Sequence, residues 1–201
     1  MLLSGFDPFD GAASNSSWDA VQLVVRDWDG AASIAQVVLP VEFGGAWEQL
    51  ERAIVEHSPD VVITVGLADG RNAITPERVA INLRDARIPD NRGAQPRDEP
   101  AQPGAPAAYF SGLPVVAIAD AIRDAGIPSQ VSLSAGAYVC NDLMYHLMHE
   151  VTTRRPELVA GFIHVPSAAA MPVDTIARAL AIAVETTVQS FETQFFANQG
   201  G

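Results

Sequence analysis

The stretch Asp60 to Val65, DVVITV, constrains the fold more than any other part of the chain. Nearly every residue in it is apolar or β-branched. It has no polar face to turn toward water, which suits a strand buried on both sides in a parallel sheet. Such a sheet needs helices on each face, and the rest of the chain alternates between strand-like and helix-like segments. Met1 to Ser4 is a short apolar strand entering the turn GFDPF, and Ser16 or Ser17 then caps a helix reaching about Trp28. Ser33 to Val41 is a second strand, and Phe43 to His57 is an amphipathic helix with Trp47, Leu50 and Ile54 on one stripe. Glu77 to Leu83 alternates and reads as an antiparallel strand at an edge. Pro114 to Ile118 reads as a strand, and Ala119 to Ala125 as a short helix stopped by Gly126 and Pro128. Gln130 to Leu133 is β-prone, and Asn141 to Val151 carries Leu143, Met144, Leu147 and Val151 at helical spacing. Leu158 to Val165 is another apolar strand, and about Val173 to Phe195 a long Ala-rich helix. The pattern predicts a three-layer α/β/α sandwich with a mixed, mostly parallel central sheet, residues 1–201 forming one domain. No internal repeat interrupts it.

Between Asp85 and Leu113 the chain is rich in Pro, Gly and charge, with little periodicity. Loops of this length inside compact domains usually serve as lids or partner contacts. No apolar run approaches the roughly 18 to 20 residues of a membrane span, and MLLSGFDPFD lacks the basic start and long apolar region of a signal peptide. With one cysteine and no internal disulfide, the expected location is cytoplasmic. A net charge of -12 argues against a nucleic-acid partner, since phosphates call for clustered cations. All 12 basic residues are arginine, so Schiff-base chemistry, a phosphate-loop lysine and a Ser-Lys dyad are excluded.

In open α/β sheets, ligands bind outside the carboxyl ends of the strands. Phe6 and Phe9 follow the first strand, Leu67 to Arg71 follow DVVITV, and His164 ends GFIHV. The only cysteine, Cys140, lies in SAGAYVCN at a strand–turn–helix junction. A lone cysteine is otherwise a small buried hydrophobe. At a helix start, however, unpaired N–H groups and the dipole favour an anion, so this thiol is expected to ionise more easily than a free one. A thiol nucleophile needs a base, and that base needs an acceptor to fix its tautomer. His164 fits the first role, while the residues alone leave the acceptor open among Glu42, Glu77 and Asp85. His57 closes a helix, where it can meet the terminal carbonyls. His146 and His149 sit beside Glu150, but HLMHE departs from the HExxH pattern and offers no third ligand, so no metal is expected.

Five blocks together resemble the pyroglutamyl peptidase I family of cysteine peptidases. They are GFDPF at Gly5–Phe9, LPV at Leu39–Val41, GLADGRNAITPERVAINLRDARIPDN at Gly66–Asn91, SAGAYVCN, and GFIHVPS at Gly161–Ser167. The resemblance spans almost the whole chain in the family's order. It implies removal of N-terminal pyroglutamyl residues from peptides without a cofactor. Cys140 would be the nucleophile, His164 the general base and acid, and Glu77 the carboxylate that orients the imidazole. It also implies Arg87 near the thiol and the developing oxyanion, an apolar lactam pocket of Phe6, Phe9, Ile88, Tyr138 and Val139, and polar backbone contacts near Leu67. A homo-oligomer, tetramer or dimer, is implied as well.

Some positions depart from the family's pattern. Asp10 and Asp69 stand where Gly is common, Ser16 replaces a Pro, and Tyr138 replaces Phe and brings a hydroxyl that needs a partner if buried. Asp69 adds a negative charge beside the pocket. Two rival readings remain at this level. A nucleoside phosphorylase of similar fold would need a phosphate site and a purine pocket that the sequence does not offer. A non-catalytic protein would bind free pyroglutamate without turnover.

Overall fold

The structure is a computed structural model describing residues 1–199, with the side chains of the last helix described to Thr193. A five-stranded sheet runs in the order β2 (Ala35–Leu39), β1 (Leu2–Phe6), β3 (Val61–Leu67), β7 (Val159–Val165) and β4 (Thr75–Pro76). The first four strands are parallel, and β4 pairs antiparallel with β7 at the edge. A two-stranded antiparallel ribbon, β5 (Val79–Ile81) with β6 (Ala108–Phe110), lies apart from it. The helices among the described residues are α1 (Ser16–Asp27), α2 (Gly45–His57), α3 (Val115–Asp124), α4 (Val139–Thr153) and α5 (Val173–Gln199).

The period-2 alternation of the strands divides the core between the two faces of the sheet. Leu2, Leu39, Val62 and Phe162 point one way and pack with Leu50 and Ile54 of α2 and with Leu143, Met144 and Leu147 of α4. Leu3, Ile63, Val65 and Ile163 point the other way, against Val21 and Val24 of α1, Ile118 and Ile122 of α3, and Ile176 and Leu180 of α5. DVVITV is thus buried on both sides, and the sandwich has the three layers that its sequence predicts. Among the described residues no helix is long and apolar enough to cross a membrane.

Four local expectations change. The cap of α1 is Asn15, not Ser16 or Ser17: its side chain accepts from Ser17 N, and also takes the Ser17 hydroxyl at 2.8 Å. Ser17 Oγ is thereby left to receive Phe6 N–H at 3.0 Å, which fastens the end of β1 to the helix. Pro114 to Ile118 is not a strand. Pro114 is the N-cap, and Val115, Ile118, Ala119 and Ile122 form the buried stripe of α3. Pro suits the start of a helix because the first N–H groups lack partners there in any case. Gln130 to Leu133 makes only isolated contacts, through Ser129 to Ile74 and Ser132 to Glu77, because the edge it follows, β4, is two residues long. Glu77 to Leu83 is likewise split. The main-sheet strand β4 ends before it at Pro76, Glu77 makes an isolated bridge to Ser132, and Val79–Ile81 forms β5 apart from the main sheet.

The excursion after Asp85 is fastened down. Asp90 is buried and accepts from the N–H groups of Phe43, Arg92 and Ala94, while Asn91 N–H donates to Val41 O. These bonds hold Arg87 and Ile88 beside the carboxyl ends of the strands.

Candidate active site

Three strand ends and one helix start converge on the site. In the β3–β7 ladder Gly66 is the register partner of His164, and Thr75 of β4 is its partner on the other side. Glu77 follows β4, and its N–H donates to Phe162 O at 2.9 Å. Because Phe162 and His164 lie two apart on β7, both point to the side of the sheet covered by α4; their rings are 4.7 Å apart. Cys140 is the second residue of α4. Its helix is tied to β5 by the buried Asn141, whose side chain accepts from Ile81 N–H and donates to Ile81 O and Leu83 O. The neighbouring Asp142 accepts from Arg84 at 2.6 Å and from Gly44 N–H.

His164 Nδ1 and Glu77 Oε1 are 2.8 Å apart, the carboxylate wholly buried and the imidazole nearly so. With Nδ1–H donated to the carboxylate, Nε2 is left as the ring's free acceptor. Cys140 and His164 line the same cavity of about 720 Å³, together with Arg71, Arg87, Ile88 and the segment Ser134–Tyr138. A smaller cavity of about 240 Å³ adjoins it, bounded by Phe6, Val41 and Val139. Phe9, Leu67, Asp69, Arg87, Tyr138 and Cys140 line both. Every site residue expected from the sequence therefore faces one of these spaces, except Glu77, which stands behind His164.

Tyr138 packs on Phe9 and edge-on to Phe43, at 5.5 and 5.3 Å between ring centres. Its hydroxyl finds the partner it needs in Pro89 O, at 2.9 Å. Burial, with the negative charges nearby, pushes this phenol up to about 12, so it stays a donor. Arg87 is exposed, and among the described residues no carboxylate pairs with it, so its charge is free to act on whatever occupies the cavities. Asp10 adopts φ 53, a left-handed conformation that explains the usual Gly at this turn and that Asp tolerates better than most residues. His146 is held by Arg84 and Asp142 and stacked on Trp47, whereas His149 meets the Tyr109 hydroxyl.

The electrostatics overturn one expectation. Burial pushes the Cys140 thiol up to about 12, and the Glu77 carboxylate adds to the rise. Arg71 and the residue's own backbone N–H pull the other way without reversing it. A helix N-terminus is typically worth about 0.3–1 kcal/mol, too little to offset desolvation of a thiolate. Burial likewise lowers His164 below 6.5, against the hydrogen bond and charge of Glu77. Burial would raise Glu77, but its bond to His164 and that residue's charge, with Ser132 and Arg71 assisting, hold it below 4.5. Both shifts favour the neutral forms of the thiol and the imidazole, with the ionised carboxylate behind them.

Arg71 is the residue to which the sequence assigned no role. Its guanidinium is 2.6 Å from Glu77 Oε1 and also reaches Thr75 and Ser134 O. The signal was its place in GLADGR at the end of β3, but an arginine in a Gly-rich turn reads equally well as a solvated charge.

A thiol, an imidazole and a buried carboxylate at the strand ends of an α/β sandwich form the set of groups that cysteine-type hydrolases use for acyl transfer. The sequence matches the family model described as pyroglutamyl peptidase over residues 1–195, and the chain belongs to that family. It is 52% identical over 166 residues to the pyrrolidone-carboxylate peptidase of Levilactobacillus brevis, covering 83% of this chain and 81% of the relative. It is 49% identical over 197 residues to that of Clavibacter michiganensis subsp. michiganensis, covering 94% and 92%. Among solved structures, pyroglutamyl peptidase I from Bacillus amyloliquefaciens superposes with a TM-score of 0.88 at 46% identity, over 92% of this chain and 93% of that one. Pyrrolidone carboxyl peptidase from Thermococcus litoralis gives 0.91 at 38% identity, over 96% and 94%.

Proposed function

We propose that this chain hydrolyses the bond joining an N-terminal pyroglutamyl residue to the rest of a peptide, with Cys140, His164 and Glu77 as its reacting groups. The observation that carries the reading is the 2.8 Å contact of His164 Nδ1 with buried Glu77, in a cavity that His164 shares with the only thiol. The small cavity between Phe6, Phe9, Tyr138 and Val139 suits the uncharged lactam ring, and the larger one suits the departing peptide. A charged amino terminus would be costly to desolvate against the aromatic walls, which favours the closed ring.

The neutral resting pair sets the order of events. As Cys140 Sγ attacks the pyroglutamyl carbonyl carbon, the thiol proton passes to His164 Nε2. Glu77 then steadies the imidazolium that this creates. The carbonyl oxygen gains the negative charge, which the unpaired N–H groups at the start of α4 and the Arg87 cation on the same cavity wall would stabilise. Collapse breaks the C–N bond, and His164 returns its proton to the leaving amine. Water, deprotonated by His164, then cleaves the thioester and restores the thiol. The scheme calls on no cofactor. It is the work of a single domain acting in the cytoplasm as a homo-oligomer.

Turnover of a chromogenic pyroglutamyl amide tests the proposal. The parent protein should release the chromophore and Cys140→Ser should not. Binding of pyroglutamate without turnover by the parent would instead identify a binding protein, and phosphate-dependent cleavage of a nucleoside would identify a phosphorylase.

A further inference from the structure

Arg71 ties the turn after β3 to the Thr75–Glu77 edge and to Ser134 through its side chain, beside the backbone bridge that already links Glu77 to Ser132. One guanidinium nitrogen lies 2.6 Å from Glu77 Oε1 and 2.5 Å from Thr75 Oγ1, and the other donates to Ser134 O at 2.9 Å. Thr75 in turn donates to the backbone oxygen of His164, its partner in the ladder. Glu77 Oε1 thus receives both Arg71 and His164, while among the described residues Oε2 is buried without a hydrogen bond of normal length, Ser132 being close enough only to help lower the carboxylate. A carboxylate held through one oxygen can rotate unless a second donor fixes that oxygen's direction. Arg71 supplies the second donor, and through Ser134 O the same guanidinium anchors the start of the Ser134–Tyr138 wall that leads into Cys140.

We propose that Arg71 is a positioning residue that sets the Glu77–His164 pair and the Ser134–Tyr138 wall in one mutual geometry, so that imidazole orientation and pocket shape are fixed together. The proposal rests on the reading of Cys140, His164 and Glu77 given above. A planar fork can serve two acceptors at once, which a lysine ammonium on a flexible stem does poorly. Electrostatics agree with the geometry: the Arg71 charge lowers both His164 and Cys140, opposing Glu77, which raises both. The charged and titratable groups facing His164 are Glu77 beyond β4, Arg71 from the turn after β3 and Cys140 from α4. Asp69, Asp85 and Arg87 stand farther out on the cavity wall.

The test compares Arg71→Ala and Arg71→Lys with the parent chain by two readouts. In steady-state turnover of a pyroglutamyl amide, Arg71→Ala should lose about 10- to 100-fold in kcat and also rise in KM, because both halves of the site loosen. Glu77→Gln, which leaves the wall alone, should lose kcat with KM little changed. Guanidinium ion at millimolar concentration should restore part of the Arg71→Ala rate. Independently of turnover, NMR titration of the four histidines, with His164 assigned by its loss in His164→Gln, should show His164 titrating at higher pH in Arg71→Ala. Removing the cation leaves Glu77 unopposed to favour the imidazolium. Arg71→Lys should keep the parent titration but not the parent kinetics. An unmoved His164 titration in folded Arg71→Ala overturns the proposal, as does an Arg71→Lys protein with parent kcat and KM. If Arg71→Ala does not fold, the Arg71→Lys kinetics decide. A parent protein that turns over no pyroglutamyl amide defeats the functional reading instead, and the titration still judges Arg71.

Discussion

Gly66→Ala adds one methyl group at the point where strand, nucleophile and base are closest. A Cβ built on Gly66 lies 2.6 Å from Phe162 Cζ and 2.9 Å from Cys140 Sγ. Non-bonded carbons prefer about 3.5–4.0 Å, so ring or sulfur must retreat by roughly 1 Å. Phe162 is fully buried and cannot leave, and β3 is locked in register with β7 at this residue. The strain therefore falls on Cys140, whose side faces the open cavity. Overpacking of this kind costs about 1–3 kcal/mol, and for a chain of this length about 2–4 °C of Tm accompanies each kcal/mol. A misplacement of about 1 Å at a reacting group costs on the order of 100-fold in rate. Gly66→Ala should therefore show a lowered Tm with kcat down by about two orders of magnitude. Gly161→Ala is the control: its Cβ would collide with Ser111 and Leu113, away from the cavities, so Tm should fall while kcat holds. Differential scanning calorimetry and initial rates on a chromogenic pyroglutamyl amide provide both numbers. If Gly66→Ala loses Tm but keeps the parent kcat, the sulfur does not react from the place the structure gives it.

Two further outcomes follow from the same geometry. Glu77→Gln keeps the shape but removes the charge that steadies the imidazolium, so single-turnover kinetics should show the chemical step slowed by about 10²- to 10⁴-fold; an unchanged step would remove Glu77 from the reacting set. Alkylation of Cys140 by iodoacetamide needs the thiolate, and burial has raised that thiol to about 12, so the labelling rate should climb with pH through the alkaline range. A plateau already reached below neutrality would mean a preformed thiolate–imidazolium pair and would defeat the neutral resting site.

Much of this was legible from one chain. DVVITV announced a two-sided strand because its β-branched run leaves nothing for water, and the strand-end rule then gathered Phe6, Leu67 and His164 without coordinates. Cys140 and Glu77 were harder. A cysteine at a helix start is chemically suggestive yet common, and an acidic residue in an alternating segment is ordinarily solvated. Only the resemblance carried by the two long blocks singled out Glu77. Its burial depends on a two-residue edge strand, which periodicity cannot detect over so short a span. Pro114–Ile118 misled because β-branched residues suit a strand, whereas the contact with α5 decided for a helix. The protonation state of Cys140 was missed for a different reason: the helix start is local, while desolvation comes from walls assembled by distant segments.

The antiparallel pairing of β4 with β7 has a consequence for how the molecule loses activity. Glu77 N–H is bonded to Phe162 O, and His164 sits inside the seven-residue β3–β7 ladder at the centre of the sheet. Opening free energies are greatest for central strands and least for fraying ends. The amides of His164 and its β7 neighbours should therefore exchange more slowly than those around Glu77, which follows the two-residue edge strand β4. The carboxylate can part from the base when this edge opens, so loss of activity on heating should precede global unfolding.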